Sequence, residues 1–395
     1  MADKENSEGL MKNKTVTNIF ASLIILAIIG CSPTLGVAEP TDEQAVEQEM
    51  EDVVKNTETA EPIEETEVDE EASPEPVFNE ELTDPIPVIF SHDGGSDDFA
   101  VLIYITRHPM INLIGVVQSY GLQYPSKTLE SWQTFLYDVI DYDEAVFGLG
   151  SEYPLDPENN QFPEGWRGGT DAVWSLDLPE PSDTYSAIDG ADLIVDLIKS
   201  SPEKVTMLVT GAQTDMALAL QKDPSIVENI SQIVIMGGAF DMEGNLYESP
   251  GHEDNVVAEW NIYVDPLAAK IVFNSGVPLS IVSLDGSHYF FISPDDDEKI
   301  SNSTDPALSL LSTVWQQQFQ GWNGDFKIWD IVAAVALTNP EVIEWKYDDV
   351  DVIAEPGSTH GQTVALGTGS EIIRYSANTN YDLVREIIFN VYLSD

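Results

Sequence analysis

Val88-Ile89-Phe90-Ser91-His92-Asp93-Gly94-Gly95-Ser96-Asp97-Asp98 is the segment of this 395-residue chain best able to do chemistry. An apolar run reads as a buried strand, two glycines make a tight turn, and Asp97-Asp98 opens a helix. Three carboxylates gather in this way at the carboxyl end of a strand, where open α/β sheets hold their ligands. Like charges so close repel unless a cation neutralises them, and an all-oxygen donor set suits Ca²⁺ or Mg²⁺. An Asp pair that only caps a helix would look the same, so the segment needs partners. Three other segments supply candidates: Leu208-Val209-Thr210-Gly211 at a second strand end; Gly237-Gly238-Ala239, Gly244-Asn245 and Glu259-Trp260-Asn261 further on; and Trp329-Asp330 at a helix start.

The elements that must position these residues follow from the apolar pattern. Strands are expected at Val88–Phe90, Leu113–Gln118, Val205–Val209, Gln232–Met236 and Leu279–Ser283, each rich in β-branched residues. Amphipathic stretches at 97–106, 126–142, 190–200, 214–221, 266–274 and 306–319 read as helices, and another at 328–337 stops at Asn339-Pro340. This βαβα rhythm predicts an α/β fold: an open, mostly parallel, Rossmann-like sheet with helices on both faces.

Composition limits the partners. Residues 1–31 read as a signal peptide: Lys12 and Lys14, an apolar run at 19–29, then Ile28-Ile29-Gly30-Cys31. That run is short for a membrane span. Its end resembles a bacterial lipobox, so the only cysteine, Cys31, is expected to carry a lipid and anchor an exported protein to a membrane. Residues 32–86, rich in Glu, Thr and Pro, read as an acidic disordered linker. The expected folded domain, 87–395, still has 12 Lys and Arg against 48 Asp and Glu, a net charge of −36 within the chain's −54. Nucleic-acid binding needs a basic footprint, so it is excluded as a function class. The acidity resembles the surfaces of proteins from salt-loving organisms, where high ionic strength screens self-repulsion.

The four segments, in this order and spacing, resemble the calcium-dependent nucleoside hydrolases, the inosine-uridine-preferring family and its purine-specific relatives, over nearly all of residues 87–395. The resemblance implies Ca²⁺ held by the carboxylates of Asp93, Asp98 and Asp330 and the backbone carbonyl of Thr210. It implies Asp93 as general base toward a calcium-bound water. Asp97 would hydrogen-bond one ribose hydroxyl, and Asn245, Glu259 and Asn261 the others. Anionic oxygens near the sugar suit a reaction that passes through an oxocarbenium-like ribose. The residue before the distal aspartate is Trp329, where nonspecific members carry a histidine. An indole cannot protonate a leaving base but can stack on it. With Trp166 it resembles the paired tryptophans of the purine-specific subgroup. The family also implies a homo-oligomer.

Three positions depart from the family pattern: Ser91 where many members have Asp, Leu122 near an expected ribose-contacting Asn or Asp, and Asp215 for a common Asn. None of the five histidines fits a catalytic role, and the His92 ring is expected to point away from the cluster. The reading is therefore a purine nucleoside N-ribohydrolase that releases free base and ribose. A pyrimidine or broad-specificity hydrolase is the first alternative. A surface lipoprotein that binds a nucleoside or sugar through calcium without cleaving it is the second.

Overall fold

The computed structural model describes residue 78 and residues 82–394, except 159, 172, 184 and 185. The signal peptide, Cys31 and most of the expected linker lie outside the described residues. Among the described residues no helix is long and apolar enough to cross a membrane.

The main sheet uses nine strands: β1 (Ile86–His92), β2 (Ile111–Gln118), β3 (Val146–Leu149), β4 (Ile188–Asp189), β5 (Val205–Val209), β6 (Ile230–Met236), β7 (Leu279–Val282), β8 (Ile343–Tyr347) and β9 (Ile373–Thr379). Their order is β8-β9-β7-β6-β5-β1-β2-β3-β4, and only the β8–β9 pair is antiparallel. All five strands expected from sequence are present. β3, β4, β8 and β9 were not legible: the first two span only four and two residues, and the last two interrupt their apolar positions with polar ones.

β1 shows how the sheet is held. Val88 and Phe90 pack into one core cluster with the helices Asp98–Arg107, Asp330–Thr338 and Tyr381–Tyr392. Ile89 packs into the opposite cluster with Gly190–Ser200, Thr214–Lys222 and Pro266–Phe273. Both faces are thus covered, and a one-residue slip would exchange every one of these side chains between clusters. Each fully buried Val, Ile or Phe contributes about 1.5–3 kcal/mol, so the register that sets Asp93 at the strand's end is firmly held.

The chain runs from β1 outward through β2 to β4, then returns through β5 to the other half of the sheet. The topological switch therefore falls between β1 and β5, which pair directly, Ser91 opposite Val209. Ligands of open α/β sheets bind at the carboxyl ends of such a pair. Asp93 follows one strand and Thr210 the other.

Two features depart from expectation. The helix anticipated at 126–142 is an α-helix over Pro125–Thr134 that continues as a π-helical turn over Phe135–Val139. Phe78, inside the segment read as linker, is buried, with the Arg374 guanidinium 4.1 Å from its ring centre and 4.3 Å from that of Trp345.

Candidate active site

Asp93 lies at the floor of a cavity of about 690 Å³ at the switch point, within the size range of small-molecule sites. Its Oδ2 accepts the Leu122 N–H at 3.0 Å. Leu122, where the family pattern led to an expected loss of contact, thus orients Asp93 through its backbone and walls the cavity with its side chain. Gly94 takes φ +89°, and a Cβ there would collide with the Gln123 side chain. Gly94→Ala combines left-handed strain with that overlap and should cost at least about 2 kcal/mol. Calorimetry should show a melting temperature lower by several degrees; an unaltered melting curve would refute this account of the turn.

The other carboxylates divide into two kinds. Asp98 is fully buried beneath the cavity: Oδ2 accepts the Gly94 and Gly95 N–H groups at 2.9 and 2.7 Å, and Oδ1 accepts the Thr210 hydroxyl at 2.7 Å. It binds the Asp93 turn to the end of β5. The Thr210 side chain, uninformative in the sequence, therefore has a stated job. Asp97 and Asp330 do face the cavity. Asp97 Oδ2 accepts the backbone N–H groups of Trp329 and Asp330 at 3.1 and 3.3 Å, joining the starts of two helices far apart in sequence.

Electrostatics reflect the crowding. Burial, then the Asp98 charge, pushes Asp93 well above the usual carboxylate range. Burial and then the Asp97 charge do the same to Asp330. Asp97 rises to about 6 for the same two reasons, burial first and then Asp98. Buried anions with no cationic side chain among these causes call for a positive ion. The donor set is all oxygen, as a hard divalent cation requires, so the chemistry of the residues fits Ca²⁺. Among the described residues, however, no three acidic, histidine or cysteine side chains already stand as a metal cage, and Asp97 shares a side-chain hydrogen bond with Asp330.

The polar wall comes from the segment after β6. Gly244 approaches Ala258 so closely that a Cβ would overlap its carbonyl, which brings Asn245 beside Glu259. Asn245 Oδ1 accepts the Trp260 N–H at 3.1 Å, so its amide N–H₂ is the group it has for a ligand. Asn261 is turned the other way. Its Nδ2 donates to the carbonyls of Thr210 and Met236 at 2.9 and 3.2 Å, and its carbonyl oxygen is what it can offer. Glu259 lines the cavity too, yet its carboxylate accepts the N–H groups of Asn261, Gly238 and Ile262 at 2.9–3.2 Å, capping the helix Trp260–Tyr263. Burial outweighs these bonds and lifts it to about 7.

Aromatic rings form the remaining wall. Trp329 is half-buried, with Trp322 packed edge-on at 6.2 Å. Trp166 lies on the helix Glu164–Thr170, 44% exposed, against Trp260 and Phe162. Buried Arg167, stacked at 3.5 Å over Tyr124, pins that helix. The His92 ring, expected to point away from the cluster, is buried between Phe90 and Trp132 with its Nδ1 3.7 Å from Asp98 Oδ2. Asp215 accepts the Ser119 hydroxyl and the Ser151 N–H, tying together the loops after β2 and β3. Sequence reasoning missed Trp322, Gln317 and Gln318 on the cavity wall, and no pattern in the chain marks them. Trp260 sat inside a segment already singled out.

Carboxylates on the floor, opposed amides beside them and indoles above define an α/β enzyme site for a ligand with a hydroxyl-bearing part and a flat apolar part. The chain belongs to the inosine-uridine preferring nucleoside hydrolase family, whose model matches residues 88–388. It is accordingly a hydrolase of N-glycosyl bonds, which leaves the non-catalytic receptor without support. It is 33% identical over 264 residues to the pyrimidine-specific ribonucleoside hydrolase RihA of Citrobacter koseri, covering 66% of this chain and 78% of that protein. For RihA of Klebsiella pneumoniae the identity is 31% over 290 residues, covering 71% and 88%. Among solved structures, the purine-preferring ribonucleoside hydrolase from Gardnerella vaginalis superposes with a TM-score of 0.68 at 21% identity, covering 78% of this chain and 98% of that one. The plant nucleoside hydrolase PpNRh1 gives 0.67 at 20%, covering 79% and 100%. At such identities the superpositions establish the shared fold.

Proposed function

We propose that this chain is a purine nucleoside N-ribohydrolase. One observation carries the reading: the indoles of Trp329 and Trp166 wall the same cavity whose floor is Asp93, Asp97 and Asp330. The ribose sits on the carboxylate floor, where Asn245 donates to one hydroxyl and Asn261 accepts from another. The C1′–N bond breaks, a water oxygen bonds to C1′, and Asp93 takes that water's proton on Oδ1. The base leaves with the bond's electron pair and is protonated from solvent while held against Trp329. Asp93, Asp98, Asp330 and the Thr210 carbonyl would hold Ca²⁺, which when bound supplies a Lewis acid that acidifies water and grips the ribose diol. The pyrimidine-specific relatives RihA favour a second reading, a pyrimidine or broad preference.

A reducing-sugar assay over inosine, guanosine, adenosine, uridine and cytidine, with and without EGTA, tests both readings. Purine turnover that EGTA removes and calcium restores is the expected result. Uridine turned over faster than every purine would replace the first reading with the second.

Calcium affinity should depend on pH with a definite sign. The cation must displace protons from two of its carboxylate ligands, Asp93 and Asp330, whose affinity for them burial raises well above the usual range. Titration calorimetry should show binding weakened at least tenfold from pH 7.5 to pH 5; affinity level across that range would count against this ligand set. The signal and Cys31 support export and lipid anchoring, for which palmitate labelling abolished in Cys31→Ala is the check.

A further inference from the structure

The dipeptide Leu122-Gln123 bonds to both halves of the cavity. Toward the floor, the Leu122 N–H reaches Asp93 Oδ2 at 3.0 Å and the Gln123 N–H reaches the Asp93 carbonyl at 2.9 Å. Toward the aromatic wall, the Leu122 carbonyl accepts the Thr170 hydroxyl at 3.0 Å and the Gln123 carbonyl accepts Arg167 Nη2 at 3.3 Å. Gln123 Nε2 adds a bond to the Thr170 carbonyl at 2.7 Å. Thr170 and Arg167 belong to the helix Glu164–Thr170 that carries Trp166. The Gln123 side chain is fully buried, and its Oε1 accepts Trp132 Nε1 at 2.7 Å and Gln118 Nε2 at 3.1 Å. One planar amide thus takes two donors on its oxygen and supplies one from its nitrogen, which neither an ionised carboxylate nor an apolar chain of that length reproduces.

Resting on the nucleoside reading above, we infer that Gln123 is a positioning residue: its side-chain amide fixes the helix bearing Trp166 against the Asp93 turn. It thereby sets where an indole meets the base while Asp93 faces the sugar. The bonds to Asp93 come from backbone N–H groups and survive exchange of the Gln123 side chain. The bond from Nε2 to Thr170 does not, so the side chain acts on the helix. That helix depends on such a tie. It spans only seven residues, three of them Gly165, Gly168 and Gly169, whereas an isolated helix is marginal in water below about 12–15 residues and glycine weakens it further. Its Trp166 ring is also the most exposed of the aromatic contacts on that side, at 44%, against 6% for Phe162 and for Trp260. A shift of about 1 Å at a substrate-positioning group is enough to be felt in the rate.

A double-mutant cycle tests this. Gln123→Met keeps the side chain's length and removes its polar atoms; Gln123→Glu keeps an oxygen for Trp132 and Gln118 and removes the donor to Thr170. Each is made alone and together with Trp166→Ala, and kcat/KM for inosine is read well below each variant's melting temperature. Trp166→Ala alone should lower kcat/KM by about 10-fold, the loss of one stacking face. Each Gln123 variant alone should lower it by about the same factor, and in the Trp166→Ala background by less than about 2-fold, because coupled residues are not additive. A role in folding alone scales both backgrounds alike, and Gln123→Glu, which keeps the bonds to Trp132 and Gln118, carries the cycle if Gln123→Met folds poorly. Equal fold-losses in the two backgrounds overturn the inference while leaving nucleoside hydrolysis intact. Unaltered kcat/KM in Trp166→Ala overturns it too, since Gln123 would have nothing to place. Wild-type protein that releases no ribose from any nucleoside overturns the underlying reading instead. If uridine proves the better substrate, the same cycle is read on uridine with the same outcomes.

Discussion

Asp93→Asn should lower kcat by about 10²–10⁴-fold, the range for loss of a positioned general base, with the fold retained. An asparagine keeps the Oδ that accepts the Leu122 N–H and removes the group that takes the proton. The same substitution should change stability in a way that identifies the cause. Asp93, Asp97 and Asp330 are all raised above their unfolded values in the folded chain, Asp97 to about 6 from 3.8. A carboxyl with a raised folded value favours the folded state when protonated. That stability is complete below the unfolded value and is lost as pH climbs through the folded one. Without calcium the protein should therefore melt at a lower temperature at pH 7.5 than at pH 5, and Asp93→Asn should narrow the gap. Added calcium should raise the wild-type melting temperature at pH 7.5 more than that of the variant. A variant that keeps wild-type kcat would remove Asp93 from the chemistry altogether.

Trp329→Ala should cut kcat/KM for inosine by about 10- to 100-fold, since a base stacked on an aromatic side chain gains about 1–3 kcal/mol. The loss for uridine should be several-fold smaller, because a single ring covers less of the indole. Trp329→Phe should recover much of the inosine activity, keeping a face for the base without the indole N–H. That N–H is buried and without a hydrogen-bond partner among the described residues. Thermal denaturation separates this role from packing against Trp322. Equal losses for inosine and uridine would mean that Trp329 does not set purine preference.

Much of the fold was legible because it rests on local patterns. Five central strands are short apolar runs, and Gly190–Ser200 occupies the residues its amphipathic pattern marked. The edge strand β8 and its neighbour β9 were invisible because their partly polar residues alternate too weakly to stand out. The helix Tyr381–Tyr392 was also unmarked, although its apolar face packs on the same core as β1. The candidate site residues were legible as residue types. Asp93, Asp97, Asp330, Asn245, Asn261, Trp166 and Trp329 all line one cavity.

What the chain alone determined is chemical identity: hard oxygen donors at strand ends, indoles near them, acidity that argues against a nucleic-acid partner, and spacing that marks the family. Only the tertiary structure decided which oxygens remain for a ligand. Asp98 and Glu259 read as ligand-binding carboxylates; backbone N–H groups reach both oxygens of Glu259, and backbone N–H groups with the Thr210 hydroxyl reach those of Asp98, which leaves Asp98 Oδ1 a single lone pair to offer a cation. The reason is that hydrogen bonds are short and directional. Whether a carboxylate serves the fold or the substrate depends on donors brought within 3 Å by distant parts of the chain, and only folding brings them there.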